Sequence, residues 1–216
     1  MHPRILPADQ DESILQAAKA IRAGGVVAVP TESFYGLAVN PLNEKAIERL
    51  LGIKKRREDH PILILIHSTE VLRDYAVSVP PVARELIKAF WPGGLTLVFH
   101  ATSVLPSLLT GGTWKIGVRL SSHPAATALA GAAGVAITGT SANVTGEPPC
   151  TVPEEVIEAL GSDVDLILDG GRTAGGKGST VLDVTLNPPV ILREGMVSRK
   201  ALAHFLKSPS CRRNDR

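Results

Sequence analysis

Residues 9–37 read Asp-Gln-Asp-Glu-Ser-Ile-Leu-Gln-Ala-Ala-Lys-Ala-Ile-Arg-Ala-Gly-Gly-Val-Val-Ala-Val-Pro-Thr-Glu-Ser-Phe-Tyr-Gly-Leu, and the hydrophobic period changes once within them. Asp9 and Glu12 have the spacing of an N-cap pair. Ile14, Ala17, Ala18 and Ile21 then recur at helical spacing, and Gly24-Gly25 stops the helix. Val26 to Val29 is an unbroken apolar run ending at Pro30, the pattern of a strand buried on both faces. Pro30 to Leu37 follows as a loop at the strand end. Helix, buried strand and polar loop together form the repeating unit of an α/β domain.

The same alternation continues outward. Helices are expected from Asn43 (Ala46, Ile47, Leu50 and Leu51 on one face), over Pro81 to Phe90, over Ala125 to Ala133, over Pro153 to Leu160 and after Ser198. Strands are expected at Ile62 to Ile66, Leu95 to Phe99, Lys115 to Leu120, Val135 to Thr138, Val164 to Leu168, Thr180 to Val184 and Val190 to Leu192. The expected architecture is a single-domain α/β protein with one mixed sheet flanked by helices. Residues 1–207 form the domain, and 208–216 form a polar, disordered tail.

Composition narrows the class. The 216 residues correspond to about 1.4 average domains, and neither a repeat nor a linker divides them. Hydrophobic residues at 44% and charged residues at 20% exclude a disordered chain. A net charge of +2 excludes a strongly cationic nucleic-acid coat, and 4% aromatics argue against a base-stacking platform. Cys150 and Cys211 belong to no Cys/His cluster, so neither a zinc site nor a disulfide framework is expected, and a reducing cytoplasm is the default. No apolar run approaches membrane-spanning length, and Met1 to Ser13 lacks a signal-peptide core.

Four polar segments lie beside apolar runs, where α/β sheets bind ligands: Pro30–Leu37, Lys54–Arg57, Thr138–Gly146 and Asp169–Asp183. Lys54 and Arg56, two apart, fall on one side of an extended segment and would clamp a polyphosphate; alternatively, the run is the basic last turn of the preceding helix. Ser141 and Asn143, also two apart, would form an anion cradle or merely close a side-chain turn. Gly171 to Gly178 approximates a phosphate-binding loop, but Gly178 stands where a Ser or Thr is required. The segment also leads into a strand instead of a helix, so a P-loop is excluded and a Gly-rich flap remains. Glu32 and Asp183 fit acid–base roles and turn-stabilising roles equally. The six histidines show no metal-binding spacing, and no nucleophile elbow is present.

Taken in order, these segments resemble the YrdC-like family of threonylcarbamoyl-adenylate synthases. The resemblance rests on Pro30-Thr31-Glu32-Ser33-Phe34-Tyr35-Gly36-Leu37, Lys54-Lys55-Arg56, Trp91 to Thr96, Gly117 to Leu120 with His123-Pro124, Ser141-Ala142-Asn143, Ser179 to Asp183, and Arg193-Glu194-Gly195. It covers about residues 10–206 and implies a twisted mixed sheet with an open concave cleft. It also implies synthesis of threonylcarbamoyl-AMP from L-threonine, bicarbonate and ATP, with release of pyrophosphate. The product would serve modification of tRNA beside the anticodon, by direct contact with tRNA or through downstream transfer enzymes. By this resemblance Lys54, Arg56, Ser141, Asn143 and Arg193 would bind ATP, with Lys54 and Arg56 catalytic. Thr31, His67, Arg119, Thr140 and Ser179 would bind threonine. Magnesium would arrive with ATP, and no metal ligand from the protein is expected. The chain is similar to the short members, which lack a second domain. Two departures bear on substrate use: Lys55-Arg56-Arg57 where many members have Gly-Arg-Pro, and Thr140 where many have Pro. A non-catalytic RNA- or ribosome-binding protein of the same fold is the alternative. A carbamoyl-adenylate enzyme of the hydrogenase-maturation type is a narrower one.

Overall fold

A computed structural model describes residues 3–206. The expected tail at 208–216, with Cys211, lies outside them. The elements are β1 (Arg4–Pro7), α1 (Asp11–Arg22), β2 (Val27–Pro30), β3 (Tyr35–Ala38), α2 (Glu44–Lys54), β4 (Ile64–Ile66), α3 (Leu72–Tyr75), α4 (Pro81–Phe90), β5 (Leu95–His100), α5 (Ser107–Thr110), β6 (Lys115–Leu120), α6 (Pro124–Ala133), β7 (Ile137–Thr138), β8 (Thr140–Ser141), α7 (Pro153–Leu160), β9 (Leu166–Asp169), β10 (Thr180–Asp183), β11 (Val190–Arg193) and α8 (Arg199–Leu202). No helix among the described residues is long and apolar enough to cross a membrane.

The α/β expectation holds, but the strands form two mixed sheets where the sequence suggested one. Five strands run β1-β9-β2-β3-β8, and six run β11-β10-β5-β6-β4-β7. The chain passes between the sheets three times, between β3 and β4, between β7 and β8, and between β9 and β10, and the middle passage is the tightest. Val135 to Thr138 reads as one strand end, yet the chain changes sheets at Gly139. Before it, β7 pairs with β4; after it, β8 pairs with β3. The Gly139 N–H donates to the Leu63 carbonyl, and a Cβ here would come within 2.6 Å of Leu63 and 2.8 Å of Leu65. Only glycine fits a backbone passing this close to a neighbouring strand.

Two hydrophobic cores form, and each draws on strands of both sheets. Ile14, Ala17, Ala18 and Ile21 of α1 pack with Ala125, Ala126, Leu129 and Ala130 of α6 and with Val27 and Val29 of β2. The small alanine side chains allow the two helices to approach closely. A second core joins Tyr35, Leu37, Ile47 and Leu50 to Leu86, Leu95, Leu97 and Phe99. β2 is buried along its whole length, as its unbroken apolar run predicted.

Local expectations meet three corrections. Asp9 is not the N-cap of α1: Gln10 occupies that position without a side-chain cap, and Asp11 and Glu12 lie in the first turn, where they complement the helix dipole. Tyr35 to Leu37 is not loop but strand β3, antiparallel to β2, which leaves only Thr31 to Phe34 as the hairpin turn. β1 escaped the sequence because its burial does not alternate. By contrast, Asn43 and Ser198 cap α2 and α8 by accepting from the Ala46 and Ala201 N–H groups.

Candidate functional site

A cleft of about 1050 Å³ opens between the two sheets. Eight of the ten expected site residues line it: Thr31, Arg56, Arg119, Thr140, Ser141, Asn143, Ser179 and Arg193. Lys54 and His67 do not. His67 follows β4 and packs beside Gly131 of α6. The reason for Lys54 lies in its hydrogen bonds.

Lys54 is the last residue of α2, and Lys55 closes the helix in the left-handed region at φ 48°. The helix-terminal alternative is therefore right for the backbone, and Lys54 and Arg56 are not two steps along an extended chain. The Lys54 ammonium donates to the Ser141 carbonyl at 2.6 Å, the Asn143 carbonyl at 2.8 Å and Asn143 Oδ1 at 3.1 Å. That uses all three of its protons. Burial, reinforced by Arg56, lowers its pKa to about 8. Ser141 Oγ also donates to Asn143 Oδ1 at 2.6 Å, and Asn143 Nδ2 donates to the Glu147 carbonyl at 2.6 Å. Cradle and self-satisfied turn, set out as alternatives in the sequence, are thus combined. The loop satisfies itself around Lys54 and still presents Ser141 and Asn143 to the cleft.

Arg56 does face the cleft. Its guanidinium donates to the His60 carbonyl at 3.4 Å and the Pro61 carbonyl at 2.7 Å. These are neutral acceptors, so the charge is held in place without being cancelled. Burial and the neighbouring Arg193 lower its pKa. Arg193, on β11, is held similarly: Nε and Nη2 donate to the Ser179 carbonyl at 3.2 and 2.9 Å, and Nη2 also reaches Ser179 Oγ at 3.2 Å.

The opposite wall is built around Arg119 of β6. Its buried guanidinium contacts the Glu32 carboxylate, which also accepts from Ser121 Oγ at 2.5 Å. Burial, with a further contribution from Arg193, lowers the Arg119 pKa to about 10. Arg119 Nε is buried with no hydrogen-bond partner among the described residues. Thr31 closes the adjoining hairpin turn, its hydroxyl donating to the Phe34 carbonyl at 2.7 Å. Ser179 Oγ, just before β10, and Thr96 Oγ1 of β5 are 2.8 Å apart.

The sequence left Glu32 open between roles, did not single out Lys115, and offered Lys177 only as part of the excluded P-loop match. Glu32 lies inside the Pro30–Leu37 motif, so the signal was present, but its partner is 87 positions away on β6. Asp183 proves to be structural. It accepts from Lys115 Nζ at 2.9 Å and from the Thr185 N–H and hydroxyl at 2.8 and 2.6 Å. Burial alone would raise its pKa, but these donors hold the carboxyl below its usual range.

The chain is similar to known proteins over most of its length. The family model for Sua5, YciO and YrdC, described as "Telomere recombination", matches residues 19–195. A threonylcarbamoyl-AMP synthase of Pyrococcus abyssi is 42% identical over 179 residues, covering 83% of this chain and 53% of the relative. One of Bacillus subtilis is 37% identical over 193 residues, covering 89% and 56%. The chain therefore spans about half the length of these relatives. The solved structure of P. abyssi Sua5 complexed with L-threonine superposes with a TM-score of 0.89 at 37% identity, covering 96% of this chain and 61% of that one. With the family model matching most of its length, the chain belongs to the Sua5/YciO/YrdC family.

Proposed function

We propose that the chain catalyses ATP-dependent synthesis of threonylcarbamoyl-AMP from L-threonine and bicarbonate, a nucleotidyl transfer that releases pyrophosphate. The observation that carries the reading is the charge of the cleft. Arg56, Lys115, Arg119, Lys177 and Arg193 line it, against Asp183 and Glu194. A surplus of fixed cations suits a triphosphate. The Arg119–Glu32 wall, a cation already offset by a carboxylate, suits a zwitterionic amino acid.

In this reading Thr31, Arg119, Thr140 and Ser179 hold threonine. Its amine condenses with bicarbonate, losing water, to give a carbamate. A carbamate oxygen attacks the α-phosphorus, the bond to the bridging oxygen breaks, and pyrophosphate leaves with that electron pair. No side-chain nucleophile is needed. Arg56, Arg193 and the Ser141–Asn143 loop position and neutralise the phosphates, and Lys54 fixes that loop from behind. Magnesium rides on the nucleotide. Of the carboxylates lining the cleft, Asp183 is engaged by Lys115 and Thr185, and Glu194 by the Arg199 side chain and N–H. A hard cation would therefore take its oxygens from phosphate and water.

The product would feed threonylcarbamoyl transfer to tRNA in the cytoplasm, by direct contact or through separate transfer enzymes. The reading is tested by omitting each substrate in turn while following pyrophosphate and adenylate. Release that requires ATP, threonine and bicarbonate together is expected. Equal ATP turnover without threonine refutes the reading.

A further inference from the structure

The segment from Asp169 to Ser179 crosses from β9 of one sheet to β10 of the other and is tied down over most of its length. The Tyr35 hydroxyl donates to the Gly171 carbonyl at 2.8 Å, the Thr173 N–H to the Thr151 carbonyl at 2.9 Å, and the Gly175 N–H to the Ser33 carbonyl at 2.7 Å. The Gly-rich stretch is thus a strap fixed to the hairpin turn. Beyond Gly175 the pattern changes. Among the described residues, none of the four backbone N–H groups from Gly176 to Ser179 donates a hydrogen bond within the chain. Gly175 and Gly176 have φ of +67° and +81°, left-handed geometry that turns the backbone sharply where these free N–H groups begin.

The side chains agree. Lys177, Gly178 and Ser179 line the cleft, and Lys177 has no ion-pair partner among the described residues. Arg193 lies alongside: a Cβ built on Gly178 would sit 3.6 Å from its Nη2. Unused backbone donors, an unpaired ammonium and a guanidinium held by a neutral carbonyl therefore meet at one edge of the cleft. This chemistry selects a multiply charged phosphate.

We infer that the backbone N–H groups of Gly176, Lys177 and Gly178, with the Lys177 ammonium, form a cradle for the pyrophosphate portion of the nucleotide, the β- and γ-phosphates that leave as one group. The inference deepens the proposed reaction and rests on it for the identity of the ligand. Lys177 would neutralise charge developing on the bridging oxygen as the bond to the α-phosphorus breaks. No covalent step involves the loop.

The test is calorimetric titration of the full chain with inorganic tripolyphosphate and, separately, with L-threonine, for wild type, Lys177→Ala, Lys177→Arg and Gly176→Ala. Lys177→Ala should weaken tripolyphosphate at least about tenfold, as expected for losing a hydrogen bond between charged groups. Lys177→Arg should retain most of the affinity. Gly176→Ala, where a Cβ meets no neighbour but the φ is unfavourable, should weaken it too. Threonine binding should be unchanged throughout. Tripolyphosphate affinity within twofold of wild type in Lys177→Ala overturns the inference, as does a parallel loss of threonine binding. Wild-type protein that fails to bind tripolyphosphate also overturns it. Failure of the substrate-omission assay alongside Lys177-dependent tripolyphosphate binding would discard the reaction and keep the cradle.

Discussion

The two walls of the cleft hold their cations by opposite means. On the α2 side, Arg56 faces the cleft with Lys54 behind it, and both are fixed by backbone carbonyls, Lys54 by Ser141 and Asn143 and Arg56 by His60 and Pro61. A carbonyl dipole orients a cation without cancelling its charge, so this wall stays net positive. On the β6 side, Arg119 is fixed by Glu32. A carboxylate orients and also neutralises, which removes most of the long-range attraction for anions and leaves directional donors. Under the proposed function, the first wall would attract a polyanion, and the second would recognise a carboxylate group on an overall neutral molecule. The proposed ATP and threonine, different in charge, would thus share one cavity without exchanging places.

The largest expected effect tests the neutralised wall. Glu32→Ala leaves the Arg119 guanidinium buried without its counter-charge and should cost about 3–5 kcal/mol of folding stability in a denaturant titration. A loss below about 1 kcal/mol would mean that Glu32 does not compensate Arg119, and the contrast between the walls would collapse. Next comes the positive wall. Arg56→Ala should lower kcat/KM for ATP by about 3 kcal/mol, roughly a hundredfold, while directly measured threonine affinity stays near wild type. Equal losses for both ligands would show that the walls do not divide the substrates.

A smaller effect is expected at Lys54. Lys54→Met strips the donor from three acceptors and should cost about 2 kcal/mol of stability, with a loss of ATP turnover that follows displacement of the Ser141–Asn143 loop. A crystal structure of the variant with that loop unmoved would contradict the positioning role. The smallest effect is a titration. The Lys54 pKa is about 8, below its ordinary 10.5. Between these values the unfolded chain keeps a proton that the folded chain has released, so this group's contribution to stability rises with pH. Above about pH 8 the neutral amine has two N–H groups for three acceptors. The amide resonances of Ser141 to Asn143 should therefore shift with a midpoint near 8, with no loss of stability from this group. A flat profile through that range would remove Lys54 as the tie.

Much of this was legible in the chain. Most of the motifs that suggested the family contribute residues to the cleft, His123-Pro124 being an exception, and eight expected residues meet there. Less legible was the division of labour within a motif. Lys54 and Arg56 look equivalent as two cations in a basic run, yet one is spent on a loop 87 positions away and the other faces ligand space. Glu32 looks like a free acid until β6 brings Arg119 against it.

The sequence by itself determined the alternation of helices and buried strands, because apolar periodicity reports which faces leave water. It also determined the inventory of polar loops, because Gly, Pro and small hydroxyl residues interrupt that periodicity. Only the tertiary structure decided that the strands form two sheets, since strand pairing joins residues far apart in the chain, and passages such as the one at Gly139 depend on how closely Leu63 and Leu65 approach. The tertiary structure likewise decided which cations keep their charge, because neutralisation depends on the acceptor that a distant segment supplies, and local spacing carries no record of that partner.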